Sequence, residues 1–391
     1  MQKQLLFCGL ALVLLATSCS KDDNIINNNG DNPLALECKI TNRTVLTDRN
    51  PSGVDYIVDC GVDVRGELII EAGTSIQFKD GAYLEIYQTG IIKAIGTANN
   101  PIKMTNTGGA AASWAGIYLN TQGIGSIISH VQIEKAGEGT SHGALNYFKA
   151  AITVDATKVK INNVIIDRSG EIGIVSINNN VIEDFSNVKI SNCISYPMMI
   201  NANDINTLDL SLNTFIGNKK QYIFLHNYFE SGIEINKETI LRAAPIPYFF
   251  KGRLKIQKNF TIAEGVQMVM DQDATIECST DGTRFAIVGT QAKRVIIKGE
   301  NATPAYWGGI LVAGKSDFYK FSYLDISDGG SADFGWGTNK ANIKLTGYWN
   351  SKLELLKCTS TRSGTCDIAV HESWSSQTLI NDNTSFSVCK D

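Results

Sequence analysis

Short apolar runs that alternate with polar residues recur along the chain, and turn-forming residues separate them. Residues 68–70 (LII), 75–78 (SIQF) and 83–87 (YLEIY) are three such runs, with Gly, Asn and Asp between them. Ile, Val, Tyr and Phe dominate, as is typical of β-strands. No segment shows the periodicity of an amphipathic helix of three turns. The pattern predicts an all-β protein made of short strands.

A short repeat indicates how these strands are arranged. The sequence VKINN at residues 159–163 recurs as VKISN at 188–192, and LSLN at 210–213 begins 22 residues after Val188. Steps of 22 to 29 residues suit one coil of a parallel β-helix, in which about three short strands are joined by turns. No single coil buries its own apolar face, so successive coils must stack. Asparagine tolerates left-handed backbone in turns, so we interpret three residues as turn or ladder residues and not as ligands: Asn162, Asn163 and Asn192.

A longer repeat spans much of the chain. The sequence WAGI at 114–117 matches WGGI at 307–310 with an offset of 193, and RSG at 168–170 matches RSG at 362–364 with an offset of 194. Residues 66–175 recur in this way as 258–369 with single-residue slips. We predict an internal duplication: two tandem copies, at about 60–180 and 253–375, form one continuous solenoid. Because Trp114 and Trp307 are equivalent, we expect both to have a packing role.

The N-terminus carries a targeting signal. Lys3 forms a short basic region, and residues 5–16 form an apolar run that is too short to span a bilayer. The small residues before Cys19 (ATSC at 16–19) resemble the bacterial lipobox. The resemblance implies that residues 1–18 are a lipoprotein signal peptide and that Cys19 is lipidated. The alternative is an ordinary signal peptide in which Cys19 is incidental.

The residues after Cys19 predict where the protein is located. Residues 20–24 (SKDDN) resemble the short acidic tag of surface-exposed lipoproteins of the Bacteroidota type, although any solvated linker has a similar composition. Residues 19–36 are polar and predict a flexible tether, and residues 37–391 predict the β-helix. No later segment is apolar enough for a membrane helix. We expect a lipid-anchored protein of the outer membrane, exposed at the cell surface; the periplasmic side stays open.

The cysteines fit an oxidising compartment and the coil length. Cys38 and Cys60 are 22 residues apart, and Cys366 and Cys389 are 23 apart, so each pair lies on neighbouring coils. Neighbouring strands are about 4.8 Å apart, within the range of Cα separations that a disulfide accepts. We predict a Cys38–Cys60 and a Cys366–Cys389 disulfide near the two ends of the solenoid, against the alternative of stacked thiols. Three remaining cysteines are expected to act as small buried hydrophobic residues: Cys193, Cys278 and Cys358.

Several phrases together resemble a known group of proteins. They are EAGTSIQF at 71–78, IGTA at 95–98 with PI at 101–102, the two Trp-containing stretches, and PYFF at 247–250. These phrases resemble the right-handed parallel β-helix lipoproteins of gut-type bacteria, which are largely uncharacterised. The resemblance covers nearly all of the mature chain. It implies the fold and the location, and it implies no particular activity.

Charge and motifs exclude several classes of function. The formal net charge is −4, which argues against a nucleic-acid partner. Asp271 and Asp273 are two residues apart, which is interpreted as a solvated strand edge because no matching acidic cluster lies one coil away. The four histidines lack metal-ligand spacing, and no phosphate loop or nucleophile motif occurs. We therefore predict no catalytic set, no metal site and no cofactor.

Aromatic residues near the C-terminus provide the candidate ligand-binding site. An exposed ring can stack on a sugar or anchor a protein partner, whereas the alternative role is to cap the open end of the solenoid. Four aromatic residues of the second copy are the candidates: Trp336, Tyr348, Trp349 and Trp374.

These observations lead to three hypotheses about function. The first is a non-catalytic surface lipoprotein whose β-helix binds a glycan or a protein partner. The second is a polysaccharide-active enzyme, a lyase or glycoside hydrolase, with its site in a groove along the helix. The third is a structural stalk.

We expect a Cys19→Ala variant to be released from the membrane, because the lipid is the predicted anchor. Cell fractionation followed by immunoblotting measures this. The control is Cys8→Ala, because Cys8 lies in the predicted signal peptide and leaves with it. Retention of Cys19→Ala in the membrane fraction would contradict the predicted lipid anchor.

Overall fold

The strands form a stack of coils in which each coil passes through three faces. The computed structural model describes residues 24–25, 32–109, 111–138, 148–178, 180–227, 232–316, 318–335, 337–346, 351–371, 378–382 and 385–391. These residues contain 41 strands and one 3-10 turn, Ile205–Thr207. Strands of successive coils pair in parallel, as in the pairs of residues 67–70 with 91–94 and 116–121 with 83–88. This is the parallel β-helix that the sequence predicts.

One face is a single sheet that runs the length of the stack, here called the long sheet. Its 13 strands are β3 (Lys39–Ile40), β6 (Gly61–Val64), β9 (Tyr83–Gln88), β12 (Gly116–Thr121), β15 (Ala150–Val154), β18 (Ile172–Ser176), β21 (Met198–Asn201), β23 (Ile223–His226), β26 (Tyr248–Phe250), β29 (Gln267–Met270), β32 (Val295–Gly299), β35 (Leu324–Ser327) and β38 (Thr359–Thr361).

The face that follows the long sheet along the chain, face A, consists of two sheets. The first contains β1 (Asn24–Ile25), β4 (Thr44–Leu46), β7 (Glu67–Ile70), β10 (Ile91–Ile95), β13 (Ser126–Ser129), β16 (Lys158–Asn162) and β19 (Val181–Ser186). The second contains β24 (Gly232–Ile235), β27 (Arg253–Ile256), β30 (Thr275–Cys278), β33 (Gly309–Val312), β36 (Ala341–Leu345), β39 (Cys366–Val370) and β41 (Val388–Lys390).

The third face, face B, also consists of two sheets. The first contains β2 (Leu34–Ala35), β5 (Tyr56–Val58), β8 (Ser75–Phe78), β11 (Ile102–Asn106), β14 (Val131–Glu134), β17 (Ile165–Asp167), β20 (Lys189–Ser191) and β22 (Thr214–Ile216). The second contains β25 (Thr239–Leu241), β28 (Phe260–Ile262), β31 (Phe285–Val288), β34 (Tyr319–Ser322), β37 (Lys352–Leu356) and β40 (Thr378–Asn381). Strands Asn24–Ile25 and Leu34–Ala35 lie within residues 19–36, for which the sequence predicts a tether.

Alternation along each strand produces one continuous core. In β6, β7 and β8 every second residue is buried, since successive side chains of a strand point to opposite faces of a sheet. Inward side chains of neighbouring coils then stack on one another. Phe260, Phe285 and Phe321 form one such stack, with ring centroids 6.0 and 5.0 Å apart. The core therefore extends through the coils, and each coil depends on its neighbours for burial.

Single residues with left-handed backbone connect many strands, as predicted for the asparagines. Asn163 joins β16 to β17 with φ 53°, and Asn192 follows β20 with φ 57°. Asn162 is a ladder residue, because its Oδ1 accepts a hydrogen bond from Ser129 Oγ at 2.7 Å. Coil length varies more than predicted: Gly61 to Tyr83 is 22 residues, but Tyr83 to Gly116 is 33, because residues 107–115 form an additional loop.

A buried polar ladder supports one corner of the stack. Thr157 Oγ1 accepts a hydrogen bond from Thr121 N at 2.9 Å. Asn180 Oδ1 accepts one from Thr157 N at 3.1 Å, and Asp204 Oδ2 accepts one from Asn180 N at 3.0 Å. Each side chain thus bonds the backbone of the corresponding residue one coil before. The ladder satisfies buried N–H groups where the strand pairing stops.

Asparagine side chains bridge the interruption between the two sheets of face A. At this point the 3-10 turn Ile205–Thr207 replaces a strand. Asn203 donates from Nδ2 to Glu234 O at 2.8 Å and accepts from Asn236 N at 3.0 Å. Asn206 makes the same pair of bonds to Glu238 O and Ile240 N, at 2.6 and 2.7 Å. Because an amide side chain offers the same donor and acceptor as a peptide group, these residues substitute for the missing strand.

Both predicted disulfides are confirmed. The Cα atoms of Cys38 and Cys60 are 5.9 Å apart, and those of Cys366 and Cys389 are 6.1 Å apart. Each bond joins neighbouring coils close to one end of the described stack. The remaining cysteines of the described residues are buried free thiols, as the sequence predicts: Cys193, Cys278 and Cys358.

The two Trp residues of the longer repeat occupy equivalent buried positions, which confirms their predicted packing role. Trp114 Nε1 donates to Glu134 O at 2.9 Å, and Trp307 Nε1 donates to Ser327 O at 2.7 Å. The strands that follow them differ in their faces, because β12 belongs to the long sheet and β33 to face A. Corresponding segments are therefore turned by one face relative to each other. The duplication itself stays a prediction from the sequence.

We expect Asp55→Ala to shift the midpoint of urea unfolding strongly. The carboxylate of Asp55 is fully buried and accepts hydrogen bonds from Arg49 N, Asn50 N and Ser75 N at 2.6, 2.6 and 2.7 Å. Each buried donor left without a partner costs about 1–3 kcal/mol. Circular dichroism during urea titration measures the effect.

The matched control for this variant is Asp59→Ala. Asp59 pairs with Lys79 at 3.5 Å, and both side chains are about half exposed, so the loss should be below about 1 kcal/mol. Equal shifts for the two variants would show that Asp55 does not hold these segments together.

Candidate functional site

Apolar side chains cover part of the outer side of the long sheet, where polar residues would be expected. Met199 pairs with Phe224, Phe224 with Phe249, and Phe249 with Val269, on four successive coils. In parallel strands paired in register, side chains at matching positions form a row. Three of these four residues belong to a hydrophobic cluster separate from the core, and the half-buried Phe224 packs against it. This row is here called the outer aromatic row.

Further rings pack around the row. The ring centroid of Tyr196 lies 5.2 Å from that of Phe224, and the centroid of Tyr222 lies 5.5 Å from that of Phe249. Lys220 Nζ lies 4.7 Å from the centroid of the Tyr196 ring and donates a hydrogen bond to its hydroxyl at 3.0 Å. That hydrogen bond raises the pKa of Lys220. Offset stacking and cation–π contact therefore stabilise a rigid patch on the outer surface.

A polar row lies two residues along the same strands. Asn201 pairs with His226 on the next coil. Lys251 follows Phe250, and Asp271 N donates to Phe250 O at 2.8 Å, so Lys251 and Asp271 continue the row on two further coils. Adjacent members are about 4.8 Å apart along the stack. An imidazole, an ammonium and a carboxylate therefore lie side by side at the corner where the long sheet turns into face A.

The polar row and Phe224 border a surface pocket of about 410 Å³, here called the His226 pocket. Its volume lies within the range of about 300–1,000 Å³ that is usual for small-ligand sites. It is lined by Phe224, Leu225, His226, Asn227, Gly232, Ile233, Lys251, Gly252, Asp271, Gln272 and Asp273.

Two tight turns place the pocket carboxylates. Asp271 Oδ1 accepts a hydrogen bond from Gln272 N at 2.8 Å. Asp273 has left-handed backbone, with φ 57°, and its N–H donates to Tyr306 O at 3.1 Å. Asp271 is half-buried and Asp273 is exposed. The sequence interprets this pair as a solvated strand edge; the structure places both residues at the wall of the pocket.

His226 is neutral and lacks one hydrogen-bond partner. Its side chain is buried, with 7% of its surface exposed, and Nε2 lies 3.1 Å from Ser176 O. Because a carbonyl oxygen only accepts, Nε2 carries the proton and Nδ1 is left as an acceptor. Nδ1 is buried and has no hydrogen-bond partner. Burial lowers the pKa of His226 to about 4.

A second polar cluster on the long sheet is satisfied internally. Tyr118 donates from its hydroxyl to Asp155 Oδ2 at 3.3 Å, and Asn120 Nδ2 donates to the Tyr118 hydroxyl at 2.8 Å. Asn178 Nδ2 donates to Asp155 Oδ1 at 3.4 Å. Burial raises the pKa of Asp155. These groups bond one another, which is typical of a structural network.

The residues proposed from the sequence as ligand contacts or as the lipid anchor are not among the described residues. Cys19, Trp336, Tyr348, Trp349 and Trp374 all lie outside them. The pocket residues His226 and Lys251 were missed by sequence reasoning. Their one sequence signal is a separation of 25 residues, about one coil.

One group of side chains in the described residues has the spacing of a metal site: Cys38, Asp59 and Cys60. Both thiols of this group are joined in a disulfide, so neither offers a thiolate. We assign no metal to it.

Comparisons with protein-family models, with curated proteins and with solved structures find no match for this chain. Within the described ranges, no helix has the length and apolar character needed to cross a bilayer.

We expect the imidazole of His226 to titrate with a midpoint near pH 4, measured by NMR of the ring. An unfolded chain takes up this proton near pH 6.5 and the folded chain does not, so stability is full above pH 6.5 and falls as the pH approaches 4. The accumulated loss is about 3 kcal/mol.

The control for this prediction is His226→Gln, which removes the titrating group. Urea midpoints at pH 7 and pH 4.5 should differ less for His226→Gln than for the unaltered protein. An NMR midpoint near pH 6.5 would contradict the burial-driven shift in the pKa.

Proposed function

We propose that this protein is a non-catalytic, lipid-anchored protein of the bacterial cell surface that binds a glycan through the outer side of its long sheet. The lipobox-like sequence that ends at Cys19 and the acidic tag after it support the location. The His226 pocket supports the binding role. The anchor and the outer-membrane location rest on sequence alone.

The observation that carries the binding proposal is the composition of the pocket wall. Phe224 contributes an aromatic ring, and Lys251, Asp271 and Asp273 contribute charged groups from neighbouring coils. A sugar ring has an apolar C–H face and an edge of hydroxyl groups, so it matches a wall that combines an aromatic ring with hydrogen-bonding groups. Strand pairing holds the backbone of these residues rigidly, which reduces the entropy lost on binding.

A polysaccharide-active enzyme is the second candidate, and one observation favours it. Asp63 and Glu85 are paired on neighbouring coils of the long sheet, with both side chains on its outer side. Neighbouring strands are about 4.8 Å apart, close to the separation of about 5–5.5 Å between the two carboxylates of retaining glycosidases. Asp63 is engaged by Arg65 at 2.7 Å, which favours a structural role for this pair.

We expect the purified protein to bind at least one oligosaccharide on a glycan array, and Phe224→Leu to weaken that binding about tenfold. Leucine keeps apolar volume but removes the ring, and stacking contributes roughly 1 kcal/mol beyond the buried area. The control is Phe318→Leu, because Phe318 is an aromatic residue that is 58% exposed and lies outside the pocket. Calorimetry on the glycan identified by the array measures the affinities.

Two further results discriminate between the hypotheses. Trp336→Ala tests the site predicted from the sequence, and a loss confined to this variant would move the binding site to the loop that carries Trp336. Release of shorter products from a bound polysaccharide, with loss of cleavage in Glu85→Gln, would establish the enzyme. Failure to bind any glycan would contradict the proposal and leave a protein partner or a structural stalk.

A further inference from the structure

We infer that the His226 pocket accepts a sugar unit that carries hydroxyl groups and no acidic group, and that it rejects uronate and sulfated sugars. This inference rests on the proposed glycan-binding function and names the chemical class of the ligand. The observation behind it is an excess of hydrogen-bond acceptors over donors around the pocket.

The first step concerns the acceptors. His226 Nδ1 is a lone pair without a partner, and the proton on Nε2 is already used by Ser176 O. Asp271 and Asp273 add two carboxylates, which only accept when ionised. Lys251 is the one cationic donor among the lining residues. A ligand that satisfies this wall must supply protons, and sugar hydroxyl groups do so.

The second step concerns charge. The two carboxylates outnumber the single ammonium, and the buried imidazole is neutral at physiological pH, so the lining has a net charge of about −1. Glu300 adds a further negative charge nearby, since its N–H donates to Met270 O and it therefore lies beside Asp271 on the next coil. Like charges at these separations repel where the local dielectric constant is below that of water. An acidic sugar therefore meets repulsion and offers no proton.

The third step concerns Lys251. An isolated ammonium would attract a carboxylate ligand, but Lys251 lies in the polar row directly between His226 and Asp271. Its neighbour Asp271 therefore offsets its charge. The pocket then has one site for a ligand oxygen that accepts, at Lys251, and several sites for hydroxyl groups that donate.

The experiment compares matched ligands by isothermal titration calorimetry. The probes are oligosaccharides of glucose, galactose and mannose, each paired with the same oligosaccharide after oxidation of C6 hydroxyl groups to carboxylates. We expect the neutral member of the pair that binds to bind at least tenfold more tightly. The double variant Asp271→Asn/Asp273→Asn should reduce this ratio at least fivefold. The control is Asp80→Asn, because Asp80 is exposed in a turn on another coil.

A thermal unfolding curve for each variant shows whether it is folded. His226→Phe, which removes the Nδ1 acceptor and keeps an aromatic ring, should lose affinity for the neutral sugar while its unfolding temperature stays close to that of the unaltered protein.

The outcomes separate the inference from the proposed function. A neutral preference that the double variant removes supports the inference. Equal or tighter binding of the oxidised sugar overturns the inference, as does neutral binding that none of the pocket variants changes, and in both cases glycan binding stands. Absence of binding to every probe and to every glycan on the array overturns the inference together with the proposed function.

Discussion

The parallel pairing of each coil with the coils on either side of it is the constraint on which the rest of this structure depends. A coil of about 22 residues cannot remove its inward side chains from water by itself. The backbone N–H and C=O groups of its strands likewise find partners only on neighbouring coils. Polar ladders such as Thr157–Asn180–Asp204 extend this pairing through a corner. Where face A is interrupted, Asn203 and Asn206 restore the lost bonds with their side chains.

The same pairing organises the outer surface. Parallel strands in register place residues from successive coils side by side, so that residues about 20–25 positions apart in the sequence become neighbours. The outer aromatic row and the polar row both arise in this way, from β21, β23, β26 and β29. A binding site of this kind needs no protruding loop. Its geometry follows from the strand spacing, and specificity depends on which side chain each coil contributes.

The candidate site shows where sequence reasoning reaches its limit. Asp271 and Asp273 attract notice as a pair, but the sequence does not reveal that Lys251 lies beside them. His226 is unremarkable in the sequence because neither its burial nor its free Nδ1 is visible there. The exposed aromatics expected to bind a ligand, Trp336 among them, are outside the described residues, so they remain a separate prediction. Asn163 and Asn192 were predictable, because left-handed turns favour particular residue types.

The sequence by itself determined the fold class, the stacking of coils and the two disulfides. These depend on local alternation and on a spacing of one coil, which the residues at Cys38 and Cys60 display directly. Only the tertiary structure decided the faces. Corresponding strands β12 and β33 lie in different sheets, because the number of residues in the intervening turns and loops sets the angle at which a coil resumes. Loop lengths accumulate along the chain without a periodic signal. The grouping of His226, Lys251 and Asp271 on one outer surface therefore became visible only when the register of every coil was known.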